Sequence, residues 1–263
     1  MYKRQGYAEP ASIDITFSNG STTEELTQLV SDAVDASPAF ALMRRPLRNT
    51  FAIYVNGRRR NVTTMLASAA DDVADPFVTY SSAPTPQADA ETFADLIYRT
   101  GQKSEGVQAV ASGDMSNGPA IRPVIGRSTL IDPGGAMEAD VVLGMPGASH
   151  FALKSDERTD AEMGPSGLAI LAAGIGFCYM TQMSRYIEYQ KMGIRGVRLV
   201  QLTPFSLDEN GVGSAHPADT HLFLSGDEDD ATFERLMKIA ERTCYLHKTM
   251  SDALEPTIKV QND

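Results

Sequence analysis

The chain has 263 residues, 42% of them apolar, with 23 Lys and Arg against 34 Asp and Glu and a formal net charge of −11. That length and apolar content suit one large domain or two ordinary ones and exclude disorder as the general state. The acidic balance excludes a broad basic footprint for nucleic acid or anionic lipid. There is no run of about 18 apolar residues to span a membrane, and the opening MYKRQGYAEPASIDITF lacks a signal peptide's apolar stretch, so a cytoplasmic chain without nucleic-acid or membrane partners is expected. In that reducing setting Cys178 and Cys244 are expected free, reactive or transiently paired, not permanently bridged.

In chain order, STTEE at 21–25 places Ser21 three residues before Glu24, a capping-box spacing, ahead of a helical run that should end near Ser37-Pro38. TFAIYV at 50–55, Asn56-Gly57 and RRRNVTTM read as a hairpin with a tight turn. The stretch 83–101 reads as a Pro-rich loop and then a helix burying Phe93, Leu96 and Ile97. The polar, Gly-rich 102–119 marks a boundary, placed near 115. Three strands follow, at 121–131, 136–145 and 149–156, as an antiparallel meander. A long helix is predicted from about Pro165 to Lys191, with Gly193 just past its end. Two strands, a charged helix over about 230–249 and a closing strand, PTIKVQ, complete the order.

Residues 168–180, LAILAAGIGFCYM, carry no charge, so this part of the long helix requires cover on every side; thirteen residues are too few to cross a bilayer. Cys178 lies in that segment, beside small residues that allow close approach at Ala172, Ala173, Gly174 and Gly176. In the later helix Phe233, Leu236, Met237, Ala240, Cys244 and His247 share one face, while Glu234, Arg235, Lys238, Glu241 and Arg242 point away. Both cysteines therefore face the interior. Free Cys is among the most buried residue types and packs as a small hydrophobe, so two inert core thiols are one reading and a reactive pair the other. His247 follows Cys244 by three, but Cys-x-x-His with one distant cysteine has no finger spacing; no metal and no cofactor are expected. His150, His216 and His221 are read as structural or surface residues.

GPSGLAILAAGIGFC, the meander before it and AERTCYLH after it together resemble the OsmC/Ohr family, the osmotically inducible and organic hydroperoxide resistance proteins, over about 120–263. The resemblance implies an α+β, OsmC-like fold, an antiparallel sheet wrapped around two central helices, assembled as an intertwined homodimer. On that reading 116–263 is the OsmC-like domain and 1–115 an additional N-terminal α/β extension. It further implies a thiol-dependent peroxidase acting on organic hydroperoxides. Cys178 would attack the O–O bond and become a sulfenic acid, Cys244 would resolve it as a disulfide, and a small thiol reductant would reopen that bridge.

Cys178 sits too deep in its helix for the N-terminal dipole, and apolar burial raises a thiol's pKa, so a nearby cation is expected. By resemblance this is Arg127 in VIGRSTLI, with Arg122 as reserve. The family also orients that arginine with a glutamate in the first turn of the core helix. Here Leu168 stands in that place, and Glu162 is the nearby carboxylate that would substitute. The departure leaves an alternative open: a non-catalytic OsmC-fold protein that binds a small hydrophobic ligand and has structural cysteines.

Six arginines between 44 and 60, Arg44, Arg45, Arg48, Arg58, Arg59 and Arg60, read as a solvated face pairing with the chain's own carboxylates. DEDDAT at 227–232 reads as an acidic helix start and lacks calcium-loop spacing. GPSG is not the G-x-S-x-G of a hydrolase elbow.

Overall fold

The computed structural model describes residues 8–17, 21–82, 96–106, 123–160 and 163–262. Most of the helix expected at 83–101, the boundary near 115, and both Arg122 and Glu162 lie outside those residues.

The chain forms two compact units, one of Met1–Pro84 with Ala172–Asp263, the other Thr85–Leu171. The first opens with strand β1 (Ser12–Phe17), helix α1 (Thr23–Ala36) and helix α2 (Pro38–Arg44). The capping box of α1 closes one residue later than its spacing suggests. Thr22 Oγ1 accepts the Glu25 N–H at 3.2 Å and Glu25 returns a carboxylate to the Thr22 N–H at 2.9 Å. Ser37 ends α1, and Pro38 starts α2 where a missing N–H costs nothing. Strands β2 (Thr50–Val55) and β3 (Arg58–Arg60) form the expected hairpin, with Asn56 and Gly57 both at positive φ, as a primed turn requires. A short helix, α3, follows at Pro76–Thr79.

The second unit is a four-stranded antiparallel sheet of β4 (Ile97–Lys103), β5 (Val124–Leu130), β6 (Ala136–Leu143) and β7 (Ser149–Asp156), ordered β4-β7-β6-β5. The last three strands are the expected meander. β4 is a correction: residues 97–101, read as a helix end, instead pair with β7 through Ile97–Leu153 and Tyr98–Ala152. An exposed edge strand tolerates a sequence whose apolar residues happen to fall at helical spacing.

Helix α4 (Gly167–Gln190) crosses from one unit to the other and has, by length and composition alone, what a membrane span needs. It ends with Lys191 in the left-handed region at φ 50 and Met192 N–H bonded to Ile187 O at 3.1 Å, so Lys191 takes the cap expected of Gly193. Back in the first unit come β8 (Ile194–Leu202), the small hairpin β9 (Phe205–Leu207) and β10 (Gly213–Ala215), and β11 (Asp219–Gly226). Helices α5 (Asp230–Thr243) and α6 (Tyr245–Ser251) and strand β12 (Thr257–Asn262) finish the chain, with β12 parallel to β1.

The central sheet of the first unit is ordered β3-β2-β11-β8, with β2 parallel to β11 through pairs such as Ile53–Leu222. TFAIYV is buried on both faces. Phe51, Ile53 and Val55 meet Leu222, Leu224, Tyr179, Met183, Phe233, Leu236 and Met237 on one side. Ala52 and Tyr54 meet Phe223 on the other. A strand covered on both faces reads as a continuous apolar run, and its parallel partner has to arrive by a long crossover. The expected division near 115 does not coincide with these units, because residues 50–55 supply a central strand of the sheet that residues 194–226 complete.

Three of the six arginines pair with the chain's own carboxylates. Arg44 pairs with Asp35 at 2.7 Å, Arg59 with Asp72 at 2.9 Å and Arg60 with Asp230 at 3.5 Å.

Candidate thiol site

The site is built where the helix expected at 230–249 breaks. Cys244 adopts an extended conformation and serves both neighbouring helices. Its N–H closes α5 on Ala240 O at 2.9 Å, and its Sγ accepts the His247 N–H of α6 at 3.5 Å. A sulfur acceptor thus does at α6 what a Ser or Asp hydroxyl or carboxylate does at an ordinary N-cap. The apolar stripe survives the break, and Phe233, Leu236, Met237, Ala240, Cys244 and His247 are all completely buried. Glu234, expected to point outward, is buried as well, because its carboxylate accepts the N–H groups of Thr63 and Thr64.

Opposite stands α4. Tyr179 is fully buried and donates its hydroxyl to Met237 O at 3.1 Å, locking α4 to α5. One residue before it, Cys178 is half-buried and packs on the same core. The small residues of α4 act as the sequence suggested. Gly174 lies below Leu246 of α6, and a Cβ at Gly176 would come within 3.3 Å of Leu199 on β8.

The two thiols meet. Cys178 and Cys244 face one another closely enough for each thiol to shift the other, and neither is in a disulfide. The Cys244 thiol holds that of Cys178 down, to about 6. Burial opposes the shift, while backbone N–H groups of Leu246 and Tyr245 and the charge of Arg185 add to it. Cys244 moves the other way: its contact with Cys178, its burial and the Cys178 charge all keep it protonated. The pair is therefore asymmetric, Cys178 held toward the thiolate and Cys244 toward the thiol.

Two groups at this site escaped sequence reasoning. Arg185 lies seven positions after Cys178, two turns along α4, and is exposed. The helical spacing was the available signal. His247 lies inward where the stripe places it, but its contact with the Cys244 sulfur is not given by that spacing. It is completely buried, its Nδ1 is 3.3 Å from Cys244 Sγ, and its ring lies 4.9 Å from that of Tyr179 and 5.9 Å from that of Phe51. Burial lowers its basicity to about 4, so the ring is neutral at physiological pH. Phe51 comes from β2, so the N-terminal segment walls the site.

Arg127 is placed in the other unit, on β5, with its side chain 70% exposed and 3.5 Å from Asp140, its direct cross-strand neighbour on β6. Asp140 also receives His150 Nδ1 at 2.9 Å. Among the described residues no group of three or more His, Cys, Asp or Glu is arranged to hold a metal.

Residues 159–259 match the family model described as OsmC-like protein, a narrower span than the expected 120–263 that begins after the meander. No curated protein matches. Among solved structures the chain is similar to an OsmC-like protein from Mycoplasma pneumoniae, at 14% identity over 54% of this chain and 96% of that one, TM-score 0.41. It is also similar to an organic hydroperoxide resistance protein OsmC from Legionella pneumophila (15%, 54% and 99%, TM-score 0.38) and to the organic hydroperoxide resistance protein OhrB of Bacillus subtilis (16%, 54% and 98%, TM-score 0.33).

Proposed function

From an OsmC-like region at residues 159–259, we propose that this protein is a thiol-dependent peroxidase that reduces organic hydroperoxides through Cys178 and Cys244. The observation that carries the reading is the asymmetric thiol pair, with Cys178 held toward thiolate by Cys244 beside it. In the proposed cycle the Cys178 thiolate attacks the terminal oxygen of a hydroperoxide. The O–O bond breaks, an alcohol leaves with a proton, and Cys178 becomes a sulfenic acid. Cys244, already against it, closes a disulfide with loss of water, and a small dithiol or cellular thiol reduces the bridge.

Arg127 is kept as the proposed cation for the peroxide step, with Asp140 orienting it. A homodimer fits the exposed apolar side of α4, where Phe177 is 72% exposed. A cytoplasmic, reducing setting fits two unbridged thiols. The rival, a ligand-binding protein with inert cysteines, is disfavoured by the lowered Cys178 thiol, since an inert buried thiol is pushed up.

The test is hydroperoxide consumption by the full chain with a dithiol reductant. Wild type should consume cumene or tert-butyl hydroperoxide and Cys178→Ser should not. Equal inactivity of both toward alkyl and hydrogen peroxide would sink the enzyme reading.

A further inference from the structure

His247 is a buried titratable group that the proposed cycle does not use. It is completely buried, its Nδ1 faces Cys244 Sγ at 3.3 Å, and its Nε2 is buried without a hydrogen-bond partner among the described residues. Leaving a buried polar atom unpaired is destabilising, so a ring kept only to stack between Phe51 and Tyr179 would be better as phenylalanine. The nitrogen that has a partner points at the sulfur that has to lose a proton. In the resting pair Cys244 is held protonated beside Cys178. Once Cys178 is oxidised its negative charge is gone, and Nδ1 is the ring nitrogen the structure places against the Cys244 thiol.

We propose that His247 is a catalytic residue of disulfide closure, its Nδ1 taking the proton of Cys244 as Cys244 Sγ attacks Cys178. The atoms balance as follows. The S–H bond of Cys244 breaks, and its proton goes to Nδ1 of an imidazole protonated at Nε2. The sulfur's electron pair forms the S–S bond, and the S–O bond of the sulfenic acid breaks. The departing hydroxide takes the proton back from the imidazolium as water. A thiol that burial and its neighbour hold protonated needs such an acceptor, and the tautomer carrying its proton on Nε2 presents Nδ1 to it at 3.3 Å.

The proposal rests on Cys178 and Cys244 acting as a pair, and its test is independent of peroxide. The full-length protein is mixed with one equivalent of dithiodipyridine. Cys178 attack releases one pyridinethione and leaves a mixed disulfide. Cys244 closure then releases a second, and both are read by absorbance. His247→Phe keeps an aromatic ring between Phe51 and Tyr179 while removing Nδ1; His247→Asn serves if the phenylalanine variant does not fold, as judged by circular dichroism. The expected result is a first phase unchanged and a second phase slowed about 100-fold, the scale of a lost general base. A folded variant whose second phase stays within about threefold of wild type overturns the proposal, as does a wild type that releases only one equivalent. Two-phase release without hydroperoxide consumption would sink the peroxidase reading and leave the role of His247 standing.

Discussion

The thiol of Cys244 faces Cys178 while its sulfur accepts the backbone N–H of His247 at 3.5 Å, so one buried side chain joins α4 to the break between α5 and α6. If that contact lowers the Cys178 thiol, the rate of Cys178 alkylation against pH should have its midpoint near 6 in wild type, instead of at the ordinary 9. The sign is that of an acid whose charged form is favoured: reactivity is full above the lowered value and lost as pH falls through it. Cys244→Ala removes the neighbouring thiol and should move the midpoint up toward 9. Cys244→Ser keeps an O–H donor and should move it less. Iodoacetamide labelling of Cys178 followed by mass spectrometry measures all three.

Arg185 contributes charge to Cys178 from an exposed position, where solvent and salt screen it. Arg185→Met should raise the same midpoint by less than Cys244→Ala does, and the difference from wild type should shrink at about 1 M salt. A shift as large as that of Cys244→Ala would make the arginine, not the neighbouring thiol, the main cause.

Tyr179 ties α4 to α5 through one buried hydroxyl at 3.1 Å from Met237 O. Tyr179→Phe keeps the ring and removes that bond, which should cost about 1 kcal/mol. In a chain of this size that lowers Tm by about 2–4 °C. Thermal melts followed by circular dichroism check it, and an unchanged Tm would show that the bond contributes nothing net.

At the start of α1, Thr22 and Glu25 exchange hydrogen bonds. Thr22→Ala should destabilise by about 1 kcal/mol, while Thr22→Ser should be close to neutral, because a serine hydroxyl caps equally well. Chemical denaturation of the two variants separates them.

Glu234 anchors residues 63–64 to α5. Burial pushes its carboxyl up, but the N–H groups of Thr64 and Thr63 and their hydroxyls together hold it below the usual glutamate range. Its stabilisation is therefore present above the unfolded value of 4.5 and lost as pH falls through the lowered folded one. Glu234→Ala should cost about 1–3 kcal/mol at neutral pH by leaving two N–H groups unpaired, and the gap to wild type should narrow in acid. Denaturant midpoints at neutral and acidic pH test this.

What the chain determines by itself is local. Asn56-Gly57, Pro38 and the long helix of α4 depend only on neighbouring residues and appear where those residues place them, whereas the charge-free run of α4, expected to be covered on every side, leaves Phe177 exposed. The inward stripe of α5 carried Cys244 and His247 into the core even though the helix itself stops at Cys244. The family resemblance rested on the same local motifs, and residues 159–259 bear it out.

What only the tertiary structure decided is which distant residues meet. Residues 97–101 became an edge strand because β7 offered a partner, and sheet pairing is not written in a segment's own periodicity. TFAIYV became the parallel neighbour of β11, bringing Phe51 to the thiol site from the far end of the chain. Glu234 was buried because two N–H groups of a remote loop needed an acceptor. The low Cys178 thiol has the same origin. Its largest cause is the thiol of the distant Cys244, and hydrogen bonds and desolvation depend on three-dimensional neighbours that sequence spacing does not specify.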